Sequence, residues 1–371
     1  MSYRRIGLSR KDSSRLRLSI SLETDSNSNV LLLFERARTF IKVRGSREVL
    51  FLSIAFLSFS TAARRPGATF LLIPPSARAT GMAYAYTAIC DDASANYYNA
   101  AGLAFFESPK ITMNYCGYQP GLHDNMHHFY FACAYPLYKS SWGFDAIYFT
   151  EGKAEVYIPE TPNVTIWRLA LKIHYARKLN NRFSVGVGWK FIKQKYGRPD
   201  PWGWPRDETG FSWAFDFNFL YIILPNLSIG TVLHNIGPDI HYTDTGASDP
   251  LPWLYRLGIA YTPIDNKYFS CSLSGEMTKV LVSMFAQEEN PFWENLKYEI
   301  KEAWKGIGLE LTFYKIVSLR GGYFHDEEGV RKGLTFGGGI NIKNLELDIG
   351  IDEKIFDFQT ENRRVSLSYT F

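Results

Sequence analysis

The sequence predicts an all-β protein, a 14-stranded antiparallel transmembrane β-barrel of the outer-membrane kind, preceded by a short segment with helical signals. Three observations predict it. A pattern of alternating apolar and small polar residues recurs from residue 110 to residue 371. Short and long connections alternate between the patterned segments. An apolar run ahead of them has the form of an export signal.

The last stretch shows the pattern most plainly. From Val365 to Phe371 the apolar Val365, Leu367, Tyr369 and Phe371 alternate with Ser366, Ser368 and Thr370. One greasy face and one of small hydroxyls describe a strand between an apolar medium and a polar one. We expect this strand to close the sheet.

Composition removes several classes. No stretch reaches 18 apolar residues, which excludes a helical membrane protein. The net charge of +4 misleads, because residues 1–48 carry eleven Lys/Arg against five Asp/Glu. From residue 64 onward, thirty basic residues face thirty-two acidic ones, so the body offers no electrostatic case for nucleic acid. Cys90, Cys116, Cys133 and Cys271 have neither metal-ligand spacing nor the density of a disulfide-stapled module, and read as isolated small residues.

Residues 1–63 read as a leader. Residues 49–59 (VLFLSIAFLSF) form an apolar run behind Arg44 and Arg47, and Ser60-Thr61-Ala62-Ala63 supplies the small residues of a cleavage site. Residues 1–42 do not fit ahead of such a signal. The expected start lies near residue 43, with a cytoplasmic arm as the competing reading. Either way the mature chain is exported.

Residues 64–109 differ in composition from the patterned region after them. Ser76 to Ala83 and Asp92 to Asn96 are rich in Ala and small polar residues, and predict two short helices with Asp91 or Asp92 capping the second.

Residues 110–371 contain fourteen patterned segments: 110–118, 126–137, 140–150, 164–176, 182–193, 210–222, 226–234, 252–262, 267–277, 304–313, 316–324, 332–342, 344–351 and 363–371. Six connections are tight, at 138–139, 178–181, 225–226, 263–267, 314–315 and 343–344. Seven are longer: 119–125, 151–163, 194–209, 235–251, 278–303, 325–331 and 352–362. Strict alternation of short and long is what an even-stranded closed barrel requires, with the short turns on the periplasmic rim. Closure leaves no unpaired edge in lipid. A soluble sandwich would send its apolar face inward and carry many charges outside; here the second face is mostly Gly, Ser, Thr and Asn, as an enclosed polar interior demands. Tyr138, Trp142, Tyr221, Tyr261, Tyr268, Tyr314, Tyr369 and Phe371 fall near the short turns, where an interfacial aromatic belt is expected. The loop at 278–303 holds one helix, opening at Asn290-Pro291 and running to Trp304.

Two blocks resemble a known family. Gly67-Ala68-Thr69-Phe70-Leu71-Leu72-Ile73-Pro74, Ala77-Arg78-Ala79-Thr80-Gly81-Met82, Asp91-Asp92-Ala93-Ser94-Ala95 and Asn99-Ala100-Ala101-Gly102-Leu103-Ala104 are similar to the N-terminal motif of the PorV/PorQ proteins, themselves distantly similar to FadL-type fatty-acid transporters. His234-Asn235-Ile236-Gly237-Pro238, Leu251-Pro252-Trp253-Leu254-Tyr255-Arg256 and Leu319-Arg320-Gly321-Gly322-Tyr323 resemble PorV specifically. The resemblance implies a barrel of the outer membrane belonging to the type IX secretion system. Such a protein binds secreted cargo by its C-terminal signal domain and passes it to the surface attachment machinery. It also implies that residues 64–109 lie inside the barrel as a plug. The chain departs from the family at Ala100, where Asn-Pro-Ala-Gly is usual, and this leaves the turn less pre-set.

For the sites, Arg78, Asp91 and Asp92 are the charges of the plug, expected to pair with strand charges such as Lys190, Glu310 or Arg364, while Asn99 and Gly102 mark its turn. No nucleophile or base accompanies the carboxylates, so no enzyme and no catalytic residue is expected. His123, His127, His128, His234 and His241 read as solvated or rim histidines without a metal, and Glu327-Glu328 and Asp352-Glu353 as solvated loop charges. No cofactor is expected. Trp202 and Trp204, bracketed by Pro201 and Pro205, together with Trp253 and Trp293, are candidates for a cargo-receiving rim on 194–209, 235–251 and 278–303. The expected partners are outer-membrane lipid, secreted cargo proteins and components of the secretion and attachment machinery. The alternative reading is a FadL-like channel for hydrophobic small molecules.

Overall fold

The computed structural model describes residues 65–119, 125–154, 164–199, 205–243, 246–282, 292–327, 331–355 and 358–371. The leader and its export signal, His123, Trp202 and Trp204 lie outside them.

Among these residues the barrel wall is built from β1 (Lys110–Gly117), β2 (His127–Leu137), β3 (Ser140–Ala154), β4 (Val164–Lys178), β5 (Phe183–Pro199), β6 (Pro205–Leu224), β7 (Leu227–Ile236), β10 (Leu254–Asp265), β11 (Phe269–Val280), β12 (Trp304–Phe313), β13 (Val317–Asp326), β14 (Arg331–Ile342), β15 (Leu345–Ile355) and β16 (Phe358–Thr370). Two further short strands, β8 (Ile240–Tyr242) and β9 (Ser248–Asp249), hang from the upper end of β6. Each wall strand pairs antiparallel with its neighbours in the chain, and β1 pairs with β16, so the sheet closes. Register across the closure runs Met113↔Leu367↔Leu347.

The greasy rows face outward. Trp189 and Leu367 are each 44% exposed, whereas Lys190 and Ser366 beside them are 2% exposed. That is the reverse of a soluble β-sandwich and the arrangement lipid requires. Tyr138, Trp142, Tyr268, Tyr314 and Phe371 are all at least half exposed around the short-turn rim, where their amphipathic rings suit the membrane interface. The turns there are tight. Tyr314 and Lys315 both take positive φ, 54° and 57°, as a two-residue hairpin with the twist of its strands requires.

Three long connections differ from the expectation. β5 and β6 pair as far as Pro199↔Pro205, so most of 194–209 is strand. Backbone pairing continues past the point where the apolar pattern fades. The segment after β7 folds back against the interior instead of forming an outer rim. It carries β8 and β9, buries Ile240 and Leu251, and leaves Trp253 half-buried against the core. β15 likewise runs past residue 351, which places Asp352 inside the barrel rather than in solvent.

Residues 65–109 occupy the lumen. A 3-10 turn (Thr69–Leu72) leads to α1 (Ala77–Gly81), α2 (Ala95–Tyr98) and a second 3-10 turn (Ala100–Phe105). Asp92 Oδ1 accepts from Ser94 N (2.7 Å) at the entry to α2. The plug runs from the long-loop end, where Gly67 N donates to Pro250 O (2.9 Å), to the short-turn end, where Phe371 N donates to Pro109 O (2.9 Å). Phe70, Leu71, Tyr86, Tyr97, Tyr98 and Leu103 pack against Tyr130, Ile147, Phe149 and Ile192 of the wall. The hydrophobic core of this protein is the contact between plug and wall. Among the described residues one further helix, α3 (Phe292–Glu302), precedes β12.

Candidate functional site

The plug has little secondary structure of its own, so its peptide groups need partners. The inward rows of the strands supply them. Ser366 Oγ accepts from Ala77 N (2.8 Å) and Thr335 Oγ1 from Ala83 N (3.1 Å). Glu276 Oε2 accepts from Tyr86 N (3.0 Å) and Thr87 N (2.9 Å). Ser141, Ser184 and Ser228 donate to the carbonyls of Leu103, Ala101 and Ala88. The small hydroxyls that the sequence repeats on one face are therefore a docking surface for the plug backbone. Inward glycines bring the two still closer: a Cβ on Gly306 or Gly350 would overlap the carbonyl of Ala83 or Ala77.

Charges knit the same interface. Arg78 is held on two sides, by Glu310 of β12 (Nη2–Oε1 and Nε–Oε2, both 2.8 Å) and by Asp91 (Nη1–Oδ1, 2.6 Å). Arg320 bonds Glu310 from the far side and reaches Asp348. Asp92 accepts from the Tyr86 hydroxyl (2.7 Å) rather than from a strand cation. Burial pushes the Tyr86 phenol well above its ordinary value, which keeps it a neutral donor. Asp91 is exposed at the mouth, and the Arg78 guanidinium beside it holds its carboxyl below the usual range.

Two expected partners of the plug charges pair elsewhere. Lys190 binds Asp216 (2.8 Å) and Asn235 of the wall. Arg364 binds Asp352 (3.3 Å) and meets the plug only through the face of the Tyr84 ring, whose hydroxyl also bonds Asp352. An inward strand charge a register step away is a nearer partner than any plug side chain, and buried charges take the nearest opposite charge. His128 and His234 are likewise buried inside the barrel, not solvated, because both stand on inward positions of their strands.

Asn99 is the hinge of the plug. Its Oδ1 caps Ala101 N (3.1 Å), and its Nδ2 donates to Thr87 O (2.9 Å) and Phe219 O (3.0 Å). Gly102 packs directly on Cys90. The alanine at residue 100 has a use that the usual proline lacks: its N–H donates to Asn218 Oδ1 (3.1 Å). The turn is set by this bond to the wall instead of by a ring.

Two adjoining cavities open between plug and wall at the short-turn end. One, about 260 Å³, is charged, with Arg78, Asp91, Lys110, Glu310, Lys315 and Lys343 in its lining. The other, about 580 Å³, has an apolar wall of Ile89, Phe105, Phe106, Leu220, Ile222 and Leu227. Its greasy side arises because the inward row of β6 turns apolar below Asn218. The run 217–224 (FNFLYIIL) carries the signal for this in its loss of alternation, and the register of β6 on β7 slips there. Such a space suits a small apolar solute. Among the described residues no three His, Cys, Asp or Glu side chains gather as a metal site. Of the tryptophans proposed for a rim, Trp253 belongs to the interior and Trp293, on α3, is 70% exposed.

No family model and no curated protein matches the sequence. Solved structures do match the fold. The toluene transporter TbuX of Ralstonia pickettii superposes with a TM-score of 0.51 at 12% identity, over 80% of this chain and 97% of the transporter. The toluene transporter TodX of P. putida gives 0.51 and 12%, over 84% and 99%. The present chain thus has the fold of an outer-membrane barrel, fourteen-stranded and filled by its own N-terminal segment. Within that class its overall architecture is shared, nearly end to end, with these two transporters.

Proposed function

We propose that the protein is an outer-membrane channel for small hydrophobic molecules, closed in this state by its plug. The observation that carries this reading is the apolar-walled cavity of about 580 Å³ between the plug and β6–β7. Other inward apolar residues, such as Ile147, Phe149 and Ile192, are covered by the plug, whereas Leu220, Ile222 and Leu227 line open space. The shared fold with two toluene transporters supports the same solute class. Binding of a monoaromatic or short-chain lipid probe to the purified protein tests it, and absence of binding in native membrane lipid would count against it.

The cargo-shuttle role implied by the PorV resemblance is the second reading. Exposed Trp293 on the long-loop side favours it, as an aromatic anchor for a protein partner. Copurification from native membrane distinguishes the two: a shuttle brings secreted proteins with it, and a solute channel does not.

A further inference from the structure

The helix α3 is turned inside out for a soluble surface. Asn295, Glu299 and Glu302 are only 7–8% exposed, while Trp293, Tyr298 and Ile300 stand out with Lys297, Lys301 and Glu294 among them. An ordinary surface helix does the opposite.

Its anchors say where it lies. On β11, Glu276 and Thr278 are buried in the lumen, so Met277 and Lys279 point out of the barrel. On β12, Gly306 and Gly308 meet the plug, so Lys305 and Ile307 point out as well. Lys279 Nζ pairs with Glu299 Oε2 of α3 (2.7 Å), and Lys305 Nζ donates to the carbonyl of Lys301 near the end of α3 (2.7 Å). Both bonds come from the lipid-facing side of the wall. The helix therefore packs against the outer face of the barrel.

The height is fixed by the strands beneath it. Ile307, Tyr323 and Leu334 form one continuous outward row, and one step nearer the long-loop end the same row reads Lys305, His325, Lys332. Apolar residues give way to basic ones within two residues, about 7 Å along a strand. That change marks the passage from acyl chains to headgroups.

We propose that α3 and the Lys305–Lys332 row form a docking site for the phosphate groups of outer-leaflet lipid, with Trp293 and Ile300 set beside the acyl chains. The continuity of the site with the lipid-facing rows, and the cluster of lysines at the level where those rows end, identify the occupant. Aromatic and aliphatic residues beside lysines are the composition of an interfacial helix. Lys297 and Lys301 supply the attraction to anionic headgroups, and Glu299 is kept out of their way by Lys279.

The test uses the full-length protein, with Cys133 and Cys271 replaced by Ala, reconstituted into vesicles of phosphatidylcholine with or without phosphatidylglycerol. A nitroxide is placed at Trp293→Cys, and Ile307→Cys supplies the lipid reference. In anionic vesicles the label at 293 should be shielded from a water-soluble nickel complex and open to oxygen, approaching the label at 307. Lys297→Gln with Lys301→Gln should lower the ratio of shielded to unshielded label by about fivefold per lysine in anionic vesicles and leave it unchanged in neutral ones. Heat-resistant migration of each variant checks that the barrel has folded. Equal nickel access at 293 in every vesicle would overturn the proposal, as would shielding that appears only when soluble protein is added, since that result marks a protein-binding face.

Discussion

Arg78 of the plug and Glu310 of β12 are joined side by side, guanidinium to carboxylate, by two bonds of 2.8 Å each. Their side chains are only 12% and 8% exposed. This pair ties the plug to a strand more than two hundred residues later in the chain, and it stands at the boundary between the two cavities at the short-turn mouth.

Removing Glu310 takes one carboxylate from both Arg78 and Arg320, leaving Asp91 and Asp348 as their main partners, which costs about 1.5–3 kcal/mol. Glu310→Gln should therefore loosen the plug, and protease cleavage within residues 65–109 should speed up while the barrel resists. Arg78→Met with Glu310→Met should recover much of the loss. The second link, Arg78 to Asp91, has a defined pH dependence. With the Asp91 carboxyl held below its usual range, the link contributes fully above the ordinary carboxylate pKa of about 4 and is lost only as pH falls below that. Plug protection in Glu310→Gln should thus be flat from neutral pH down to about 5 and decline in stronger acid.

Asn99 makes three bonds that hold the plug's turn, two of them to backbone carbonyls. At about 1 kcal/mol per bond, Asn99→Ala should cost roughly 2–3 kcal/mol in denaturant unfolding. Ala100→Pro should change stability by less than about 1 kcal/mol, because the lost bond to Asn218 is offset by a more restricted unfolded chain. A large loss from the proline variant would show that the turn depends on the wall bond more than its geometry indicates.

The glycines of the wall are not equivalent. Gly350→Ala puts a methyl into the carbonyl of Ala77 and should destabilise by about 1–3 kcal/mol. Gly321→Ala meets nothing within 4 Å and should lie within about 0.5 kcal/mol of the parent. Parallel unfolding curves check the contrast.

Much of this architecture can be read from the residues, and the reason is the medium. Lipid on one side of every strand forces strict alternation, so Trp189 and Leu367 declare their face without any tertiary knowledge, and tight turns such as Tyr314-Lys315 declare the register. The interior is less legible. Glu276 and Asn218 bind plug backbone well over a hundred residues away in sequence, and nothing in their own neighbourhood distinguishes them from a pore-lining Glu or Asn. Pairings inside the lumen depend on cross-strand register: Lys190 meets Asp216 because β5 and β6 align them, a relationship that spacing along the chain does not contain. Asp352 reads as a loop charge for the same reason. The apolar patch is written in residues 217–224, where alternation fails, but a broken pattern at a strand end reads as fraying until the facing Ile89, Phe105 and Phe106 are in place.

Ile222 tests the solute site with little risk to the fold, since it is only half-buried and lies at the mouth. Ile222→Asp should weaken binding of a monoaromatic probe by about tenfold or more, because a charge in an apolar pocket costs well over about 1.4 kcal/mol. Titration of the purified variant measures it. Unchanged affinity would move the site elsewhere in the lumen.

The claim on which the rest depends is that the polar rows of the barrel are occupied by the plug and do not line an open watery pore. Ion conductance across a planar bilayer tests this most directly, comparing the full-length protein with a variant lacking residues 65–105. The account predicts near-baseline conductance for the intact protein and a stable open pore for the deletion variant. Steady conductance of the same size from both would contradict it.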